Sequence, residues 1–146
     1  MLRIEILAAA RLKKGAFADL RDEYLKRMAW PVTITEIEGR NAEEEQTKLV
    51  EKIRPGAVLI ALDEKGKVFT SREFAGKLSE LSTQGQTDVQ FLIGGANGLN
   101  DEIRKRARFL LAFGPQTWPH MMVRVMLLEQ LYRAQQIIAG HPYHRD

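Results

Sequence analysis

The chain has 146 residues, a length that suits one domain over 1–146 with a normal core. Hydrophobic residues make up 45% and charged residues 28%, ordinary values for a globular protein; 22 Lys and Arg against 19 Asp and Glu leave a formal charge of +3. There is no cysteine, which excludes disulfides, thiolate metal sites and any cysteine nucleophile, including pyrimidine C5 methylation through a thiolate adduct.

The first element is a strand, "RIEILAA" (3–9), nearly alternating and rich in branched residues. Arg3, Glu5 and Arg11 interrupt this stretch, so it does not read as a secretion leader, and a cytoplasmic protein is expected. Phe17, Leu20, Tyr24, Leu25 and Met28 then recur at helical spacing, and Pro31 ends that helix. "VTITEIE" (32–38) reads as a second strand, and a charged helix carrying Leu49, Val50 and Ile53 follows Asn41. Pro55-Gly56 turns the chain into "AVLIALD" (57–63), an apolar run suited to a strand covered on both faces.

The alternation continues. Ser71 is the expected N-cap of a helix over Glu73 to Leu81, and "DVQFLIGG" (88–95) is another buried strand. Asn100 caps a short basic helix, "RFLLAFG" (108–114) is a further strand, and Thr117 and Pro119 open a long helix from His120 to Ile138. Its apolar run, the longest in the chain, is too short to cross a bilayer, so no membrane partner is expected. Strands alternating with helices predict an α/β fold with a mostly parallel sheet flanked by helices.

In such sheets ligands bind beyond the carboxyl ends of the strands. Three segments fall there: "LDEKG" (62–66), "GGANGLN" (94–100) and "FGPQTWPH" (113–120). The glycine turn lacks the Gly-Lys-Ser/Thr of a P-loop and the GxGxxG spacing of a dinucleotide fold, so alone it is equally a ligand-free strand-to-helix turn. In the third segment Pro115 and Pro119 fix φ, and a loop held this rigidly presents its backbone to a flat heterocycle at little entropic cost. Trp118 either stacks on that ring or simply packs.

The last helix is apolar all round from Met121 to Leu128, apart from Arg124, which implies burial on both sides: the sheet on one, a second subunit on the other. A buried arginine at position 124 needs an anion or carbonyl partner. Glu129 and Arg133, one turn apart, read as an intrahelical ion pair. All three histidines lie at or beyond the end of the third loop: His120 closes it, and His141 and His144 crowd the last six positions with Tyr143. No zinc site is expected, because the tail pair lies in a Pro-containing segment without a nearby acidic ligand. Acid, base or hydrogen-bonding work fits them better. The basic runs "RLKK" (11–14) and "RKRAR" (104–108) are either phosphate contacts or solvated faces.

"FLIGGANGL" (91–99), "TWPHMMVRVMLLEQLYRA" (117–134) and "HPYHRD" (141–146) together resemble the ribosomal large-subunit methyltransferase H family. These are small SPOUT-class enzymes that use S-adenosylmethionine (SAM) to methylate N3 of a pseudouridine in 23S ribosomal RNA. The resemblance runs the whole length, from "ILAAARLKKG" (6–15) through "EYLKRM" (23–28) to the tail. It implies a C-terminal trefoil knot, a homodimer, and 23S rRNA within the large subunit or whole ribosome as partner. It places SAM contacts at Leu62, Gly95, Gly114, Pro115, Gln116, Thr117, Trp118 and Pro119. Ala10-Arg11 departs from the glycine that relatives usually carry before their basic first loop, and "GPQTW" (114–118) departs from their Ser-, Ala- or Lys-containing stretch.

Arg124, Arg133, His141, Tyr143 and His144 are the candidates for the chemistry: the arginines for charge on the flanking carbonyls or for phosphate, the tail for proton removal. Gly140 and Pro142 are expected to steer the tail back over the cofactor pocket. Two rivals stand beside this reading: a non-catalytic RNA- or ribosome-binding factor on the same fold, and a metal-dependent hydrolase using the three histidines.

Overall fold

A computed structural model describes residues 1–145; Asp146, the end of the "HPYHRD" motif, lies outside the described residues. The elements are β1 (Arg3–Ala9), α1 (Ala16–Arg27), β2 (Val32–Ile37), α2 (Ala42–Glu51), β3 (Val58–Val68), α3 (Ser71–Thr83), β4 (Asp88–Ile93), α4 (Asp101–Arg106), β5 (Phe109–Ala112) and α5 (His120–Ile138). The five strands form one sheet in the order β2-β1-β4-β3-β5, and every neighbouring pair is parallel. Both faces are covered. Val58, Ile60 and Leu62 of β3 point into a core with Phe74, Leu78, Leu127 and Leu131, whereas Leu59 and Ala61 point into a second core with Leu49 and Ile103. The period-two alternation of one apolar run thus feeds two helical layers.

The helices follow local chemistry. Asn41 and Asn100 cap α2 and α4, accepting hydrogen bonds from Glu44 N (2.8 Å) and Ile103 N (3.0 Å). α5 ends in a Schellman turn: Gly140 N–H reaches Ile137 O and His141 N–H reaches Gln136 O, with Gly140 at φ 75°. That turn reverses the chain into the tail.

Three sequence expectations about the helices are corrected. The cap of α3 is Thr70 rather than Ser71, because only Thr70 has an acid three residues on: it accepts from Glu73 N, and the Glu73 carboxylate accepts from Thr70 N (2.7 Å). Ser71 instead donates to Gln130 Oε1 (2.7 Å) and ties α3 to α5. α5 begins with Pro119 at its N-cap and no side-chain cap, Thr117 being engaged elsewhere. Leu20, counted in the apolar stripe of α1, is 45% exposed.

β3 also runs past "LDEKG". Leu62 and Lys67 both register with Leu111, so Asp63 to Gly66 bulge outward and the strand then rejoins β5. Gly66 permits this: a Cβ there would stand 2.6 Å from the carbonyl carbon of Leu110.

Candidate active site

The carboxyl ends of β3, β4 and β5 open into a cleft of about 700 Å³. Its floor is apolar, from Leu62, Ile93 and Leu111. Three walls rise from it: the bulge Asp63 to Lys65, the glycine turn Gly94 to Leu99, and the loop from Phe113 to Pro119; His120 and Val123 of α5 close the end. Local bonds hold these walls. Thr117 Oγ1 donates to Glu64 Oε2, joining the bulge to the proline-bearing loop. Arg104 Nε donates to Asp63 Oδ2 (2.9 Å), and the Asp63 side chain is only 6% exposed. Trp118 Nε1 donates back to Phe113 O (3.1 Å), which folds the loop on itself. Gly114 takes φ 102°, and a Cβ on Gly95 would stand 2.8 Å from Glu45 Oε1.

His120 lies half-buried at the cleft, and its Nδ1 has no hydrogen-bond partner among the described residues. Burial first, and then the neighbouring Arg124 cation, hold its imidazole below the usual histidine range, while Glu45 opposes them. Arg124 is fully buried and does not line the cleft. Its guanidinium donates to Glu36 Oε2 (2.7 Å) and to the carbonyls of Ala9 (3.0 Å) and Ala10 (3.1 Å), the carbonyl and anion partners its burial demands. Burial lowers its pKa and the Glu36 carboxylate opposes that shift.

A second cluster forms around the tail. Arg133 and Glu129 make the intrahelical pair read from sequence, Nε to Oε1 at 3.0 Å and Nη2 to Oε2 at 3.1 Å. Tyr143 lays its ring 4.8 Å from the Arg133 guanidinium carbon and 4.8 Å from the Tyr132 ring, and donates its hydroxyl to Glu129 Oε2 (2.6 Å). Arg133 Nη1 lies 3.1 Å from His144 Nδ1, which must accept because a guanidinium has only donors. The Tyr143 phenol is pushed up to about 12 by burial and by its bond to the Glu129 carboxylate, so it is a proton donor there at neutral pH. His141, whose N–H closes the Schellman turn, is exposed.

A family model described as "Predicted SPOUT methyltransferase" matches residues 2–144. The ribosomal RNA large subunit methyltransferase H of Rhodospirillum centenum is 50% identical over 151 aligned positions, covering 99% of both chains. That of Rhizorhabdus wittichii is 45% identical over 98% of both. The chain belongs to the ribosomal RNA large subunit methyltransferase H family. Its fold recurs in longer proteins of low identity. The SpoU methyltransferase AviRb of Streptomyces viridochromogenes, solved with AdoMet, superposes with TM-score 0.53 at 11% identity, covering 95% of this chain and 59% of that one. The Legionella pneumophila protein Lpg2936, solved with SAM, gives 0.51 at 16%, covering 91% and 66%.

In this methyltransferase H family member the three strand-end segments named from sequence converge on one cleft. Leu62, Gly95, Gly114, Gln116, Thr117, Trp118 and Pro119 all line it; Pro115 does not, though both its neighbours do. The tail is a different matter. It turns back, but onto the later turns of α5, and none of its described residues lines the chain's own cleft. Sequence reasoning missed Asp63, Glu64 and Arg104 as wall residues. "LDEKG" was a signal for the first two; nothing local links Arg104 to a residue 41 positions earlier.

Proposed function

We propose that this chain transfers a methyl group from SAM to N3 of a pseudouridine in 23S ribosomal RNA, acting as a homodimer on a structured ribosomal surface, with residues 1–146 as one catalytic domain. The observation that carries the reading is the convergence of the three strand-end loops, in a member of this family matched over residues 2–144, on a single cleft of about 700 Å³.

The residues present fit SAM. The floor of Leu62, Ile93 and Leu111 suits an adenine ring, and the backbone-rich walls offer amides and carbonyls to its polar edges. Glu64 puts a carboxylate on the wall, where a cationic sulfonium gains from it, whereas Asp63 is already paired with Arg104. When bound, SAM supplies an activated methyl group whose leaving group is a neutral thioether. The protein's task is then to align nucleophile and methyl and to exclude water. The pinned loop from Phe113 to Pro119 does the first at little entropic cost.

The imide proton at N3 must leave for that nitrogen to react well. Tyr143 enters as a protonated donor to Glu129, so the proton-accepting role falls to the tail histidines, His141 and His144, with Arg133 placed to meet negative charge on the flanking carbonyls. The tail serves the cleft of the partner subunit. One observation supports this: none of the tail's described residues lines the chain's own cleft. The half-buried Met121, Met122 and Met126 on α5 supply an apolar surface for the second copy. The trefoil knot belongs to the same proposal and rests on the family match over residues 2–144.

The test is calorimetric titration with SAM in the presence of a chelator, followed by transfer of labelled methyl to large subunits and to whole ribosomes that lack the modification. Binding and transfer are expected. No SAM binding even with ribosomes present would sink the methyltransferase reading and leave the non-catalytic RNA-binding one.

A further inference from the structure

Ala10 has φ 71° and is the one non-glycine residue with positive φ among the described residues. Such a conformation persists only where surrounding contacts over-determine it. Here the contacts come from two side chains remote in sequence. Arg124 on α5 donates to the carbonyls of Ala9 and Ala10 and to Glu36 Oε2. That same Glu36 oxygen accepts from Leu12 N at 2.7 Å. The backbone from residue 9 to residue 12 is therefore gripped at three points by one ion pair.

What the grip presents is charge. Leu12 is buried, while Arg11, Lys13 and Lys14 are exposed around it. The connection runs beside the cleft: β1 neighbours β4, and the Ala9 Cβ lies 3.5 Å from where a Cβ on the cleft residue Gly95 would stand. Cations set on the rim of a cleft read as contacts to a phosphate backbone, which fix the register of a nucleic acid rather than its sequence.

We propose that Arg124 and Glu36 are positioning residues: they hold the β1–α1 connection strained so that Arg11, Lys13 and Lys14 meet RNA phosphates beside the cleft. This rests on the RNA methyltransferase reading above. Neither side chain touches the reacting atoms; both act through the loop. α5 carries Arg124 one turn beyond His120 of the cleft wall, so the loop and the cofactor site are set by the same helix.

The test is a double-mutant cycle on the 146-residue chain with ribosomal particles as substrate. One arm is Arg124→Lys, with the isosteric Glu36→Gln as the second arm should the first fail to fold. The other is the triple variant Arg11→Ala, Lys13→Ala, Lys14→Ala. Each arm should raise KM for the RNA substrate about tenfold, with SAM affinity within about twofold of wild type. The triple variant should also flatten the salt dependence of RNA binding by about two to three in log–log slope. The combined variant should be little worse than either arm alone, because a displaced loop has nothing left to lose. Additive losses, or a triple variant with unchanged KM and salt slope, would overturn the proposal. A wild-type protein that binds no SAM and transfers no methyl would instead sink the methyltransferase reading itself.

Discussion

Tyr143 donates its hydroxyl to the Glu129 carboxylate at 2.6 Å, and this bond fastens the C-terminal tail to the helix that precedes it. The phenol is raised to about 12, above the unfolded value of about 10. A group whose folded pKa is raised contributes stability that is fully present below the unfolded value and lost as pH climbs through the folded one. Alkaline destabilisation between about pH 10 and 12 is therefore expected. Spectroscopic titration should show a late tyrosine that Tyr143→Phe removes, together with about 1 kcal/mol of stability, at the low end because the pair is only partly buried. Tyrosines titrating together near 10 would contradict it.

Gly66 lies against the backbone of Leu110, where no side chain can move aside. Gly66→Ala is expected to cost about 2 kcal/mol and to weaken SAM binding, since the bulge it closes is a cleft wall. Thermal unfolding and calorimetry read the two effects. An unchanged melting temperature would show that β3 and β5 separate easily.

Ala10 offers the opposite case. Glycine adopts φ 71° freely, so Ala10→Gly relieves strain in the folded state while adding freedom to the unfolded one. The net expectation is stabilisation by about 0.5 kcal/mol, read as a higher denaturant midpoint at constant m. Loss of stability would mean the grip of Arg124 and Glu36 favours the alanine.

Thr117 and Glu64 join two walls of the cleft without belonging to its floor. Thr117→Val should reduce SAM affinity about fivefold, near 1 kcal/mol, and leave the melting temperature within a degree or so. Calorimetry decides. Unchanged affinity would show the loop to be held by its prolines alone.

Gln135 is 6% exposed, and its Oε1 accepts from the backbone of Ala29 (3.0 Å) and Trp30 (3.2 Å) in the α1–β2 connection. Gln135→Ala leaves two amides without that acceptor and should cost about 2 kcal/mol. Hydrogen exchange at Ala29 and Trp30 should accelerate selectively; uniform acceleration would point to global loosening instead.

The α/β class, the strand and helix order and the three strand-end segments were legible in the amino-acid sequence, because apolar periodicity and cap chemistry are local. Asn41 and Asn100 cap helices for reasons contained within four residues. The motifs carried the family as well, through residues spread along the whole chain. What the sequence left open was long-range. That β5 packs outside β3, that "LDEKG" bulges from a strand which then resumes, and that Arg104 meets Asp63 all depend on segments brought together only by folding. Arg124 shows the division most clearly. Its place in an apolar helix predicts burial and an anion or carbonyl partner, but only the tertiary structure supplies Glu36, 88 positions away, and the carbonyls of Ala9 and Ala10. A buried guanidinium takes whichever acceptors the fold delivers, and here they lie on β2 and at the end of β1 rather than in the cleft.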